Sequence, residues 1–260
     1  GIDSEAAYRW WVPHVLKKKA HIVSAINRRM SKKSHKFGIE VPSTVEEAYA
    51  LDKANNNTFW RDAIIKEMTN VKVAFRFLGD DENIPVGYAK LGLHLIFDVK
   101  MDLTRKARLV AEGHRTPNPV ESTYAGVVTR ESVRIALTYA ALLGINVWGA
   151  DIQNAYLSAP TSEKFWVLCG PEFGTELIGK RAIVTRALYG TKSAGRDFRN
   201  HLRDCMRHIG FEPCRADPDM WMRLSKMDNG VEYYEYSLLY VDDCLMVSQH
   251  PEQTLKQLGK

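Results

Sequence analysis

The most restrictive feature of this 260-residue sequence is a pair of adjacent aspartates, Asp242 and Asp243, inside an apolar run. The run covers residues 236–248, and its composition predicts a strand on each side of the pair. Two strands separated by two residues form a tight β-hairpin, which would have both aspartates at its tip. Carboxylates beside an apolar core lose hydration, so this placement favours a divalent cation as their partner.

A solvated turn is the alternative interpretation of the two aspartates. Asp is common in turns, although Asp-Asp fits the favoured two-residue hairpin turns less well than Asn-Gly or Asp-Gly. Tyr-x-Asp-Asp is also short enough to arise by chance. Residues 240–243 alone leave a metal site and a plain turn about equally open.

A third carboxylate ends a second apolar stretch. Residues 145–151 predict a strand that finishes at Asp151, and Tyr156 follows five residues later. Asp151 would have a structural role if it capped the turn that follows. If the two strands are neighbours, however, Asp151 converges with Asp242 and Asp243. Three clustered carboxylates suit two Mg²⁺ ions, the arrangement that nucleotidyl transfer requires.

A basic hairpin is predicted earlier in the chain. Residues 93–101 alternate, with Leu95, Phe97, Val99 and Met101 on one face, and residues 106–111 return with Ala107, Leu109 and Ala111. The opposite face includes Lys100 and Arg108. A half-exposed sheet with a charged wet side is the simpler interpretation, and a platform for phosphates is the functional one. Lys192, in a glycine-containing loop, would add positive charge for a triphosphate.

Helix signals flank these strands. Thr44 with Glu47 forms a capping box, Thr58 caps a second helix, and Thr129 starts a helix that Gly144 ends. Three more helices are expected within residues 16–30, after the loop at residues 188–196, and from Pro251. The helix after the loop is predicted to point four arginines outward: Arg196, Arg199, Arg203 and Arg207.

Composition limits the remaining options. The net charge is +5, and the first forty residues are strongly basic, which suits a solvated linker or a polyanionic partner. The four cysteines form no C-x-x-C pair, so neither a zinc site nor a disulfide framework is expected, and a reducing compartment fits. No apolar run approaches the ~20 residues of a membrane span. The chain lacks an initial Met and stops in a helical pattern, so we expect a segment of a longer polypeptide.

Four motifs, in this order, carry a resemblance to a known family. They are Lys106-Ala-Arg-Leu-Val-Ala111 with Gly113, Gly149-Ala-Asp-Ile-Gln-Asn-Ala-Tyr-Leu157, Arg186-Ala-Leu-Tyr-Gly-Thr-Lys192 and Leu239-Tyr-Val-Asp-Asp243. Together they resemble the reverse transcriptase of copia-type LTR retrotransposons over roughly residues 45–258. The family usually has Leu-Lys-Gln-Ala-Pro in its third motif, where this chain departs with Thr191, Ser193 and Gly195.

The resemblance implies a role for each matching position. Asp151, Asp242 and Asp243 would hold two Mg²⁺ ions, with Mn²⁺ as an alternative ion, and Asp242 would be the direct ligand from the hairpin. The carbonyl of Ile152 would add a metal contact, and Tyr156 would be the steric gate for the sugar. Lys100, Arg108 and Lys192 would contact the triphosphate. Tyr189 and Gly190 would form the loop beneath the nucleotide and template base, and Tyr240 and Val241 would lie near the primer end.

The fold expected from the resemblance is α+β, with the fingers and palm subdomains of a right-hand polymerase. An antiparallel palm sheet would be backed by the helices near Thr129 and Asp197. The expected divisions are a basic linker or N-terminal extension at residues 1–45, a fingers-like region at 46–144, a palm at 145–250, and the start of a truncated thumb or connection at 251–260.

The implied partners are an RNA template, a DNA primer or duplex, dNTPs, and the integrase and RNase H segments of a Pol polyprotein, with no membrane. An intracellular location follows, in cytoplasmic virus-like particles or in the nucleus. The reaction would be DNA synthesis on RNA or DNA templates. Two alternatives stay open: a decayed or co-opted element copy that binds nucleic acid without polymerase activity, and a nucleotidyl cyclase, which the ordered motifs and Tyr156 disfavour.

Overall fold

A computed structural model describes residues 34–258 of the chain. The described residues form two compact units: residues 34–64 with Ile96–Arg108, and Ile65–Leu95 with residues 109–258. The helix expected within residues 16–30 lies outside the described residues. No helix in the described range is long and apolar enough to cross a membrane.

The described residues form six α-helices, thirteen strands and three short 3₁₀ helices, Lys72–Ala74, Gly113–Arg115 and Pro171–Phe173. The helices are α1 Val45–Ala54, α2 Phe59–Val71, α3 Arg130–Leu143, α4 Ala155–Ser158, α5 Ala194–His208 and α6 Pro251–Leu258. The strands are β1 Ser34–Lys36, β2 Ile39–Val41, β3 Phe75–Phe77, β4 Ala89–Lys90, β5 Leu93–Val99, β6 Arg105–Ala111, β7 Asn146–Asp151, β8 Phe165–Leu168, β9 Arg181–Val184, β10 Glu212–Pro213, β11 Met220–Lys226, β12 Glu232–Tyr240 and β13 Asp243–Ser248.

Two of the three predicted N-caps, Thr44 and Thr129, cap their helices; at α2 two N–H groups of the first turn donate to Asp52, and Thr58 donates to Asp62 instead. Thr44 Oγ1 accepts the Glu47 N–H at 3.1 Å, while Glu47 reaches back to the N–H of Ser43 at 2.8 Å. Thr129 caps α3, and Gly144 ends it in the left-handed region at φ 65°. The helix signals at Thr44 and Thr129 are therefore confirmed. They work because each side chain satisfies an N–H that the helix leaves without a partner.

The β5–β6 hairpin has the predicted alternation. Leu95, Phe97 and Val99 are buried in β5, and β6 buries its own alternate residues in the same way: Ala107, Leu109 and Ala111. Met101 was predicted on the same apolar face, and that prediction is wrong. It lies in the turn after β5 and is 89% exposed, because the strand ends at Val99.

The largest sheet has five strands in the order β10-β11-β12-β13-β7, and all neighbours are antiparallel. Helices cover both faces. One hydrophobic cluster joins Ala136 and Ala140 of α3 to Leu238 and Val247, and another joins α5 to Trp221 and other residues of the opposite face. The predicted antiparallel sheet backed by helices near Thr129 and Asp197 is thus present. A second sheet has the order β3-β9-β8-β4, with β4 parallel to β8.

The arginines of α5 do not form the predicted solvated stripe. Arg196 is buried and pairs with Asp197 and with Glu121, and Arg199 makes a two-bond pair with Asp219. Arg207 alone of these four lies half exposed, above the Trp221 ring. The prediction failed for Arg196 and Arg199 because Glu121 and Asp219 come from other segments, which helical periodicity cannot reveal.

Candidate active site

Two of the three predicted aspartates lie directly opposite each other. Asp243 is the register partner of Asp151 across β13 and β7, so the predicted convergence of the two strands is present. The N–H of Ile152 donates to the carbonyl of Asp242 at 2.7 Å. This bond makes positions 152 and 242 the hydrogen-bonded pair. Asp151 and Asp243 therefore face each other as a non-hydrogen-bonded pair, whose Cα atoms are roughly 4.5 Å apart in antiparallel sheets.

The hairpin tip differs from the prediction by one residue. β12 ends at Tyr240 and β13 begins at Asp243, so the central turn residues are Val241 and Asp242. Asp243 is a strand residue because it pairs with Tyr240, and only Asp242 lies in the turn. Two strands and an acidic pair were predictable from residues 236–248, but the residue at which the pairing begins was not.

Val241 has a strained backbone. Its φ is +54°, in the left-handed region that a β-branched residue rarely adopts. Hairpin turns with a positive φ at the first central residue normally have Gly there. A conformation of this kind costs on the order of 1–3 kcal/mol and is commonly retained at functional sites. The turn thus fixes Asp242 at some expense in stability.

The carboxylates of the three aspartates make no hydrogen bond or ion pair with any described residue. Asp151 is not the cap of α4, since the N-cap residue of that helix is Asn154. A cavity of about 700 Å³ lies beside Asp151 and Asp243, between the sheet and the start of α3, and Val128, Arg130 and Val133 line its helix side. The sequence did not predict these three lining residues, because only the fold brings them next to the aspartates.

A divalent cation would find hard oxygen donors at this tip. Within residues 34–258 no three His, Cys, Asp or Glu side chains gather into a complete metal site. Two carboxylates on one face with a third in the adjoining turn nevertheless match Mg²⁺, which binds through one or two carboxylates and completes its shell with water and substrate phosphates. The donor set therefore fits an open, substrate-completed metal site.

The predicted gate and nucleotide loop are in contact. The rings of Tyr156 and Tyr189 lie 4.5 Å apart, and Tyr156 also packs edge-on against Phe198. Gly190 has φ +92°, and a Cβ there would collide with the carbonyl of Ala111. The Tyr189 carbonyl accepts the Ala111 N–H at 2.7 Å. The loop is thereby attached to the end of β6, and Gly190 permits the close approach.

The predicted basic residues have different surroundings. Lys192 donates to the carbonyl of Thr116 at 2.7 Å and to Asn118 at 2.9 Å. Its ammonium thus binds a neighbouring loop in this structure. Lys100 and Arg108 are exposed and belong to the first compact unit, whereas the aspartates belong to the second. Their contacts with a triphosphate remain predictions.

Sequence comparison identifies the class of protein. The family profile described as reverse transcriptase (RNA-dependent DNA polymerase) matches residues 82–258, which include the two strands and all three aspartates. The chain therefore belongs to the reverse transcriptase family.

The relatives are Pol polyproteins of plant transposons. The chain is 30% identical over 176 residues to the retrovirus-related Pol polyprotein from transposon TNT 1-94 of Nicotiana tabacum, covering 64% of this chain and 13% of that protein. For the polyproteins of transposons RE1 and RE2 of Arabidopsis thaliana the identities are 28% and 24%, over 56% and 84% of this chain and 10% and 15% of theirs. The predicted resemblance to copia-type Pol polyproteins is confirmed, and the chain spans only 10–15% of each relative.

Proposed function

We propose that this domain transfers deoxynucleoside monophosphates from dNTPs to a primer 3′-hydroxyl, directed by an RNA or DNA template. One observation carries the proposal: Asp151 of β7 faces Asp243 of β13, and Asp242 occupies the adjoining β12–β13 turn, bonded through its backbone to Ile152. Like charges placed opposite each other destabilise a sheet, so this arrangement favours a cationic ligand.

Asp151 and Asp242 would hold two Mg²⁺ ions, or Mn²⁺, with Asp243 and the Ile152 carbonyl beside them. When bound, such ions supply an activated 3′-hydroxyl and a stabilised pyrophosphate leaving group. The chain's own contribution is positional, because the β7–β13 pairing and the strained Val241 turn fix where the carboxylates lie.

The surrounding residues supply selection and binding. Tyr156, whose ring contacts that of Tyr189, would exclude a 2′-hydroxyl and so select dNTPs. Tyr189 and Gly190 would lie beneath the nucleotide and template base. Arg108, Lys100 and Lys192 would contact the triphosphate. Tyr240, 55% exposed, and Val241 would lie near the primer end. In this scheme the large sheet with its helices is the palm and the β5–β6 hairpin belongs to the fingers.

The similarity to Pol polyproteins supports a place beside integrase and RNase H segments, inside the cell and in virus-like particles or the nucleus. Affinity for a primer–template would come mainly from phosphate contacts and would weaken as salt rises.

Single-nucleotide incorporation on a primer–template tests the proposal. Asp242→Asn and Asp151→Asn should lower the Mg²⁺-dependent rate on the order of 10²–10³-fold, the loss seen when one electrostatic stabiliser is removed. Asp204→Asn is the matched control, since that aspartate is exposed on α5 and 77% of its side chain is accessible.

Rates that survive both Asp→Asn changes would reject the proposal. A wild-type chain that binds primer–template but incorporates nothing with Mg²⁺ or Mn²⁺ would instead support the decayed, nucleic-acid-binding alternative. Mn²⁺ binding followed by electron paramagnetic resonance reports on the metal site without requiring turnover.

A further inference from the structure

The last core residue before the hairpin tip, Leu239, is held on both of its backbone groups. Its N–H donates to the carbonyl of Asp219 at 3.0 Å, and its carbonyl accepts the Val128 N–H at 3.0 Å. Strand β11 begins at Met220, so both of these partners lie outside the named strands. Leu239 is buried and lies three residues before Asp242. Two loop segments thus fix the strand just before the aspartates.

The Asp219 side chain secures one of those segments. Its carboxylate accepts two hydrogen bonds from Arg199, from Nε at 2.9 Å and from Nη2 at 2.8 Å. The side chain of Asp219 is 7% exposed and that of Arg199 is 18% exposed. A planar two-bond pair of this type fixes direction as well as distance, which a single ammonium contact does not.

The second segment rests on the same ion pair. A Cβ placed on Gly126 would lie 2.7 Å from Asp219 Oδ2 and 3.3 Å from Arg199 Nη2, so the backbone there packs directly on the two charged groups. Two residues later, Val128 makes its bond to Leu239. The Arg199–Asp219 pair therefore supports both partners of Leu239.

A neighbouring carboxylate ties the arrangement to α3. Asp217 accepts the Thr129 N–H at 2.8 Å, the Ser132 hydroxyl at 2.6 Å and the Asp219 N–H at 3.1 Å. Burial alone would raise the pKa of Asp217, but the hydrogen bonds from Ser132, Thr129 and Asp219 together hold that pKa below its ordinary value. The charged form is the one that bridges the loop and the helix.

We infer that Arg199 and Asp219 are positioning residues for the catalytic hairpin, acting through the two backbone bonds of Leu239. The inference rests on the proposed function, because its importance comes from metal-ligand placement at Asp242. A displacement of about 1 Å at a reacting centre can cost on the order of 10²-fold in rate. The pair thus sets the position of the tip from the far side of β12.

Arg199→Lys keeps the positive charge and removes the planar two-bond geometry. We expect a folded protein whose half-saturating Mg²⁺ concentration for incorporation rises about tenfold, the scale seen when groups that orient metal ligands are changed. Deuterium exchange at the Leu239 amide should accelerate by a similar factor. Arg207→Lys, the same change on the same helix, should match wild type in both measurements.

Gly126→Ala provides a second probe that changes no charge. Its methyl group should displace the Asp219 carboxylate, so it should also raise the Mg²⁺ requirement and speed exchange at Leu239. The inference is overturned if Gly126→Ala and any folded Arg199→Lys protein keep the wild-type Mg²⁺ requirement and exchange rate.

Failure of the proposed function is distinguishable from failure of the inference. A wild-type chain without incorporation activity rejects the former. The positioning role of Arg199 and Asp219 is then decided by Mn²⁺ affinity and Leu239 amide exchange in the same variants. Weaker Mn²⁺ binding with faster exchange supports that role, and unchanged values overturn it.

Discussion

Arg223 and Glu235 face each other across β11 and β12, and Asp151 and Asp243 face each other across β7 and β13 of the same sheet. The first pair joins opposite charges at 2.6 Å, with Glu235 only 7% exposed. The second pair joins like charges that have no partner among the described residues. One sheet therefore contains a satisfied charge pair toward one end and an unsatisfied one at the other.

The satisfied pair belongs to a buried network. Glu235 also accepts the Ser248 hydroxyl at 2.6 Å, and Arg223 donates to the Ile209 carbonyl at 2.7 Å and to Thr254 at 3.1 Å. The bonds tie three strands to α6. Burying a charge requires this degree of compensation. Asp151 and Asp243 are exposed, so their carboxylates keep their hydration and their oxygens are accessible to a ligand.

The largest expected effect lies at the satisfied end. Glu235→Ala should lower the free energy of unfolding by about 3 kcal/mol, because it removes a buried carboxylate that partly buried Arg223, Ser248 and Tyr233 all contact. Urea denaturation measures the loss. Glu232→Ala on the same strand is the control: its 3.7 Å pair with Lys226 is exposed, and the change should cost about 0–1 kcal/mol. Equal losses in the two variants would contradict the contrast.

A smaller effect of opposite sign is expected at the tip. Val241→Gly should raise the free energy of unfolding by about 1 kcal/mol, since relief of the left-handed strain outweighs the added flexibility of glycine. Val231→Gly is the matched control: its φ is outside that region, and it should lose about 0.5–1 kcal/mol. If denaturation shows both variants weakened alike, Val241 stores no strain.

The smallest effect concerns a surface pair beyond the satisfied end. The hydrogen bond to Asp228, followed by the charges of Asp228 and Glu252, raises the pKa of His250 above 6.5. A raised folded-state pKa stabilises the protein fully below the unfolded pKa, and the contribution is lost as pH rises through the folded value. Asp228→Asn should therefore lower the His250 pKa in an NMR titration and flatten the melting temperature between pH 6 and pH 8. An unchanged His250 titration in Asp228→Asn would show that Asp228 does not raise the pKa of His250.

Local signals predicted the helices well. Thr44, Thr129 and Gly144 act within four residues of the backbone groups they satisfy, so the sequence contains the whole interaction. The alternation of buried and exposed residues in β5 and β6 was also predictable, because one face of the hairpin is buried. The convergence of Asp151 with the hairpin was also predicted, because both apolar strands lead to carboxylates.

Long-range partners were not predictable. Arg199 pairs with Asp219 twenty residues away, so helical periodicity wrongly assigned it to a solvated face. Lys192 binds a loop more than seventy residues earlier, a contact that the local sequence does not reveal. The turn register at Val241 depends on which residues pair, a property of the folded sheet. The family was established by comparison with known proteins, and the side-chain partners of these residues were established by the folded structure.

The lack of described partners for Asp151, Asp242 and Asp243 has a consequence for copies of this domain that acquire mutations. Because these carboxylates have no hydrogen-bond or ion-pair partner among residues 34–258, we expect a copy that loses them to fold as the intact one does. A genome can carry folded, silent descendants of this domain, and only an assay of chemistry separates them from the working form.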